Sequence, residues 1–152
     1  MRTALLDVNV LIALLWPAHE HHESAHDWFG SRRARWATCP LTQLGFVRIV
    51  SNPAFSRDAL AAADALGLLE RNLGHAEHEF WPDDASLPEA VGPLAPQLQG
   101  YRQLADAYLL GLAWRRRGAL ATFDGGLRSL AAGERAAALE LVPTGGSRRV
   151  RR

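Results

Sequence analysis

Apolar and polar positions along this chain fall into short blocks that call for strands and helices in turn. Thr3 to Leu6 is an apolar run suited to a buried strand, and Asp7 ends it abruptly. Val10 to Trp16 reads as an apolar helix closed by Pro17. Ala25, Trp28 and Phe29 recur at helical spacing, with Gly30 as a stop. Arg35 to Cys39 forms a second strand, and Leu41 to Val50 an apolar helix ended by Asn52-Pro53. Ser56 is expected to cap a further helix running to Arg71 and stopping before Gly74. His78 to Trp81 is a short strand. Pro88, Pro93 and Pro96 make the stretch from Ala85 to Gly100 a loop with one helical turn. Tyr101 to Arg117 is the longest helix, followed by a strand at Ala119 to Phe123, a short helix at Leu127 to Ala132 and a last strand at Leu139 to Val142. There is no internal repeat. Strands alternating with helices predict an α/β domain whose parallel sheet is covered on both faces.

Composition narrows the class. At 152 residues and 48% hydrophobic, the chain fits one domain, expected over 1–143, with a basic and disordered tail at 144–152. A net charge of +1 names no partner by itself. Arginine carries the positive charge in clusters at Arg32-Arg33-Ala34-Arg35, Arg115-Arg116-Arg117 and the tail. Its planar fork suits phosphate, although cations also favour helix ends for structural reasons. The single Cys39 excludes an internal disulfide and suits a reducing compartment; its apolar setting marks it as a core residue. No apolar segment is long enough for a membrane span and no signal pattern opens the chain, so a cytoplasmic location is expected.

Candidate chemistry lies in the acids. Asp7 and Asp124 each end an apolar strand of a parallel sheet, so both can face one rim, where open α/β sheets bind ligands. Asp7 can equally serve as a helix cap. Asp106 interrupts an otherwise apolar helical stretch, which is costly unless the charge is paired or bound to metal. Three carboxylates on one rim repel unless a cation sits among them, and Mg²⁺ prefers oxygen ligands and also binds phosphates. The reaction such a site supports is phosphodiester hydrolysis by metal-activated water.

Four blocks carry a family resemblance: Asp7-Val8-Asn9-Val10-Leu11, Thr38-Cys39-Pro40-Leu41-Thr42-Gln43-Leu44-Gly45-Phe46-Val47-Arg48, Asp106-Ala107-Tyr108-Leu109-Leu110 and Thr122-Phe123-Asp124-Gly125-Gly126-Leu127. In this order and spacing the chain resembles PIN-domain proteins, most closely the VapC toxins of bacterial toxin–antitoxin pairs, from Thr3 to about Pro143. The resemblance implies a three-layer PIN-like domain with a central parallel sheet of four to five strands. It also implies an endoribonuclease dependent on Mg²⁺ or Mn²⁺, often a homodimer, inhibited by a small cognate antitoxin. Asp7 and Asp106 match the principal metal-binding acids and Asp124 the acid of the last block. Thr122 matches a supporting hydroxyl, and Asn9 a frequent polar neighbour of the first acid. One position departs: Gln43 stands where most members carry Glu. Its amide oxygen can still accept a hydrogen bond, but the charge is gone, which opens a second reading of a weakened domain that binds RNA or a protein without cutting.

Competing motifs are fewer. His22-Glu23-Ser24-Ala25-His26 matches H-E-x-x-H, but no third zinc ligand has a recognisable setting, and the expected role is a solvated helix face. A dehalogenase-like phosphatase would want a second Asp where this chain has Asn9. Arg32, Arg33, Arg35, Arg48 and Arg115 to Arg117 are candidates for RNA backbone or antitoxin contacts. Trp16, Trp28, Phe29, Trp36, Phe46, Phe80, Trp81 and Trp114 are expected mostly in the core or an interface.

Overall fold

The computed structural model describes residues 1–144; the expected disordered tail lies, beyond Thr144, outside the described residues. The strands β1 (Ala4–Leu6), β2 (Trp36–Thr38), β3 (His78–Phe80), β4 (Ala119–Thr122) and β5 (Leu139–Leu141) form one sheet in the order β3-β2-β1-β4-β5. Every pairing is parallel. The sheet's three central strands are buried throughout, as the uninterrupted apolar runs require.

Successive side chains of a strand point to opposite faces, and each face builds its own core. Ala4 and Leu6 face α1 (Val8–Leu15), α2 (His22–Ser31), α3 (Pro40–Val50) and α4 (Ala62–Leu73), where they join Val10, Trp28, Phe46 and Leu69. Leu5, Ala37 and Leu120 face the other way, onto α5 (Leu87–Val91), α6 (Leu104–Arg115) and the loops beside them. The result is a three-layer α/β domain.

Local chemistry explains where the elements start. α3 begins with Pro40 at its first position, and the Cys39 N–H donates to Thr42 Oγ1 at 3.0 Å. Ser86 and Glu89 cap α5 reciprocally, at 3.2 and 2.9 Å. The expected helix start at Ser56 is corrected. Ser56 Oγ accepts from the Asp58 N–H at 3.0 Å, a local turn, and the Leu60 N–H donates back to the Val50 carbonyl. The chain is thereby folded against the end of α3, and α4 begins only at Ala62. The long helix also starts later than its pattern suggests, because Tyr101–Gln103 is a 3₁₀ turn. Trp28, Trp36, Phe46 and Trp81 are buried as expected, whereas Phe80 is 54% exposed. Cys39 is a buried free thiol, and burial pushes its pKa up.

The tightest helix contact sets a limit on substitution. A Cβ on Gly111 of α6 would lie 2.2 Å from the Ala90 carbonyl oxygen of α5. Backbone cannot give way as a side-chain tip can, so Gly111→Ala should destabilise the fold by about 2 kcal/mol, read as a lowered midpoint in urea unfolding.

Candidate active site

The sheet order places a topological switch between β1 and β4. From β1 the chain builds outward through β2 and β3, then returns to the other side of β1 with β4 and β5. Ligand crevices of open α/β sheets lie at such a point, beyond the carboxyl ends of the strands. Asp7 follows β1 and Asp124 follows Phe123 at the end of β4, so both stand there.

Hydrogen bonds join the two ends. The Asp7 N–H donates to the Ala121 carbonyl at 2.9 Å. Asp7 Oδ1 accepts from the Val8 N–H at 2.8 Å, so this acid does cap α1. Its Oδ2 accepts from the Thr122 hydroxyl at 2.8 Å. Thr122 Oγ1 accepts from the Asp124 N–H at 3.1 Å, and Asp124 Oδ1 accepts from the Gly126 N–H at 2.8 Å. Capping and site-building are therefore one arrangement. Asp106 completes it from the first turn of α6, close enough for its charge to be felt with those of Asp7 and Asp124.

The electrostatics show what the arrangement lacks. Burial raises the Asp7 pKa against the pull of the Thr122 and Val8 hydrogen bonds, and the Asp124 charge raises it further. Asp106 is pushed up to about 6, first by burial and then by Asp7 and Asp124. Among the described residues no arginine forms an ion pair with any of the three. Nor do three or more acids, histidines or cysteines close into a compact cage. Mg²⁺ needs no such cage, since it keeps several waters and is held by one or two carboxylates with substrate phosphates. An oxygen donor set short of positive charge fits that ion.

The other candidates divide. Gln43 sits in the first turn of α3 and donates through Nε2 to Thr38 Oγ1 at 2.9 Å. Asn9 is exposed in the first turn of α1, outside the bonds that link Asp7, Thr122 and Asp124. His22 and His26 serve the fold. Their ring nitrogens lie 2.7 and 2.8 Å from the Ala13 and Leu14 carbonyls, which the end of α1 leaves without helical partners. Among the described residues no group of three or more histidines, cysteines or acids gathers around them as a zinc site would need.

Several arginines are likewise occupied. Arg32 grips Glu140 through two 3.0 Å hydrogen bonds, Arg35 bonds Glu79 at 2.7 Å, and Arg116 bonds Asp84 at 2.9 Å. Arg33, Arg48, Arg115 and Arg117 are exposed and form no ion pair among the described residues. Sequence reasoning missed Thr38 and His78, which lie 2.8 Å apart behind Gln43. The signal was a threonine at the end of β2, matching Thr122 at the end of β4.

The raised Asp106 pKa carries a cost to the metal-free fold. Between about pH 4 and pH 6 the folded chain holds a proton here that the unfolded chain releases, so this group makes stability fall as pH rises through that window. Asp106→Asn should therefore stabilise the protein in EDTA at pH 7.5, by about 1 kcal/mol after allowing for solvent screening, and lose that advantage near pH 4. Urea unfolding at the two pH values checks both parts.

Comparison with known proteins identifies the family and the fold. Residues 4–133 match the PIN domain family. Ribonuclease VapC38 of Mycobacterium tuberculosis is 46% identical over 129 residues, covering 84% of this chain and 89% of that protein. Ribonuclease VapC39 of the same organism is 43% identical over 126 residues, covering 82% and 91%. Among solved structures, VapBC2 from Rickettsia felis bound to a promoter DNA fragment superposes with a TM-score of 0.62 at 13% identity, covering 91% of this chain and 98% of the matched one. A toxin–antitoxin complex from Klebsiella pneumoniae gives 0.59 at 16% identity, covering 93% and 99%. At those identities the structures speak for the fold, and the sequence relatives for the family. The chain belongs to the PIN-domain family of VapC ribonucleases.

Proposed function

We propose that this chain is the toxin of a toxin–antitoxin pair and hydrolyses phosphodiester bonds of RNA at the rim formed by Asp7, Asp106 and Asp124. The observation that carries the reading is the convergence of these acids at the switch point with no arginine paired to them among the described residues. A divalent ion, Mg²⁺ or Mn²⁺, held by these carboxylates supplies the positive charge that a phosphodiester and an attacking water both need.

The chain's own residues do the rest. Thr122 holds Asp7 in one orientation and the Asp124 backbone in another, so two carboxylates are fixed by one hydroxyl. Val8 pins the remaining Asp7 oxygen, and Gly126 pins Asp124. Such fixed geometry removes reorganisation from the reaction. Gln43, in the first turn of α3 beyond the carboxyl end of β2, offers a neutral acceptor on the same sheet edge. Asn9, exposed on α1, offers a polar contact to substrate. Arg33, Arg48, Arg115 and Arg117 remain for RNA backbone, preferably single-stranded or looped, where bases are accessible.

A cognate antitoxin as partner is supported by the toxin–antitoxin complexes whose fold this chain shares. The exposed Leu44 and Leu66, on the packed helices α3 and α4, give apolar surface to a protein partner or a second copy in a homodimer. No helix among the described residues is long and apolar enough to cross a membrane; a cytoplasmic location belongs to the toxin reading. The second reading, binding without cutting, rests on Gln43 alone.

Purified protein should cut RNA with Mg²⁺ or Mn²⁺ and stop when EDTA is added, on a denaturing gel. Asp7→Asn should lower cleavage at least about a hundredfold with thermal unfolding little changed. Retained activity in that variant would remove the assignment, and cleavage by the natural chain would remove the binding-only reading.

A further inference from the structure

Gln43 is the end of a side-chain relay that crosses two strands. Its Nε2 donates to Thr38 Oγ1 at 2.9 Å, and that hydroxyl lies 2.8 Å from His78 Nε2 on β3. Thr38 is 0% exposed, so its hydroxyl has no water as an alternative partner. The parallel pairing of β2 with β3, in which Trp36 lies opposite His78 and Thr38 opposite Phe80, brings the three side chains together.

A buried hydroxyl proton is costly to leave without an acceptor, and this sets the direction of the bonds. With the amide N–H donated to the Thr38 oxygen, the acceptor in reach of its own proton is His78 Nε2. That nitrogen must then be the bare one of a neutral imidazole, and the ring proton sits on Nδ1. The surroundings agree: burial first, then the Arg35 and His75 charges, favour the neutral ring and lower the His78 pKa against the Leu73 backbone hydrogen bond and the Glu79 charge. In the amide, nitrogen and oxygen lie on opposite sides of the carbonyl carbon. Committing Nε2 to Thr38 turns Oε1 away from β2 and leaves it as the free polar atom. β2 pairs with β1 in parallel, so the first turn of α3, which carries Gln43, opens on the same sheet edge as Asp7, and Gly45 packs α3 against Val8, where an added Cβ would lie 2.8 Å from Val8 Cγ2.

We propose that Thr38 and His78 are positioning residues that lock the Gln43 amide with its carbonyl oxygen as the acceptor at the acid rim, making Gln43 and His78 a matched pair. This rests on the ribonuclease reading for what Oε1 does there: it accepts one hydrogen of the attacking water and orients it, without removing a proton. A carboxylate at position 43 cannot donate. Thr38 would have to give its proton to it, and His78 would have to present a protonated Nε2. The whole relay would reverse.

The decisive readout is the ¹⁵N spectrum of His78 in the full chain without metal. The expected result is an unprotonated Nε2 and a protonated Nδ1 in the natural protein, with Gln43→Glu shifting the ring to a protonated Nε2. A protonated Nε2 in the natural chain, or a ring that ignores the substitution, overturns the relay. On RNA, Thr38→Val should lower kcat about tenfold with KM within about twofold, while Thr38→Ser restores it. An active natural chain whose kcat is untouched by Thr38→Val contradicts the positioning role. A natural chain that cuts no RNA would fail the ribonuclease reading instead, and the His78 spectrum would still decide the relay.

Discussion

Repulsion among carboxylates that the fold will not let separate is the constraint on which the site depends. Asp7 cannot move, because its two oxygens are held by Val8 and Thr122 and its N–H by Ala121. Asp124 is tied to the same threonine, and Asp106 is fixed by a helix whose other face fills the core. The protein thus holds negative charge in a half-buried place, and among the described residues no cation pairs with it. A fold selected only for stability would have relieved that strain with an arginine, as this one does at Glu140 with Arg32. The unrelieved charge is the mark of a ligand that brings positive charge with it.

The sheet makes this possible through its order more than its size. Strands of three or four residues give little surface, yet a central β1 flanked by β2 and β4 aligns several strand ends on one edge. Thr38 and Thr122 occupy equivalent ends of β2 and β4, and each hydroxyl holds a different side chain, Gln43 and Asp7. Both are fully or almost fully buried. Buried hydroxyls with every bond committed hold neighbouring side chains to single orientations, which is what a hydrolytic site needs.

Much of this was legible in the sequence, for definite reasons. Apolar runs ended by Asp7 and before Asp124 marked both the strands and the edge where the acids meet, because a buried parallel strand tolerates no interior charge. Asp106 was legible as an anomaly in an apolar stretch. Ser56 misled because a side chain that can cap a helix can also close a turn, and only the Leu60–Val50 hydrogen bond decides between them. His22 and His26 matched a metal motif but are held by the carbonyls of Ala13 and Leu14, a tertiary contact that no local pattern announces. The role of His78 was invisible for the same reason, since Thr38 and His78 meet only through strand pairing.

Calorimetric titration of the metal-free chain with Mn²⁺ tests the central account most directly. A divalent ion should bind at pH 7.5, and at pH 6 binding should release part of a proton from Asp106, measured by repeating the titration in buffers of different ionisation enthalpy. Asp7→Asn should weaken that binding at least about tenfold. Binding that releases no proton at pH 6, or that is indifferent to Asp7→Asn, would show that the ion sits elsewhere and that the acids were brought together for another purpose.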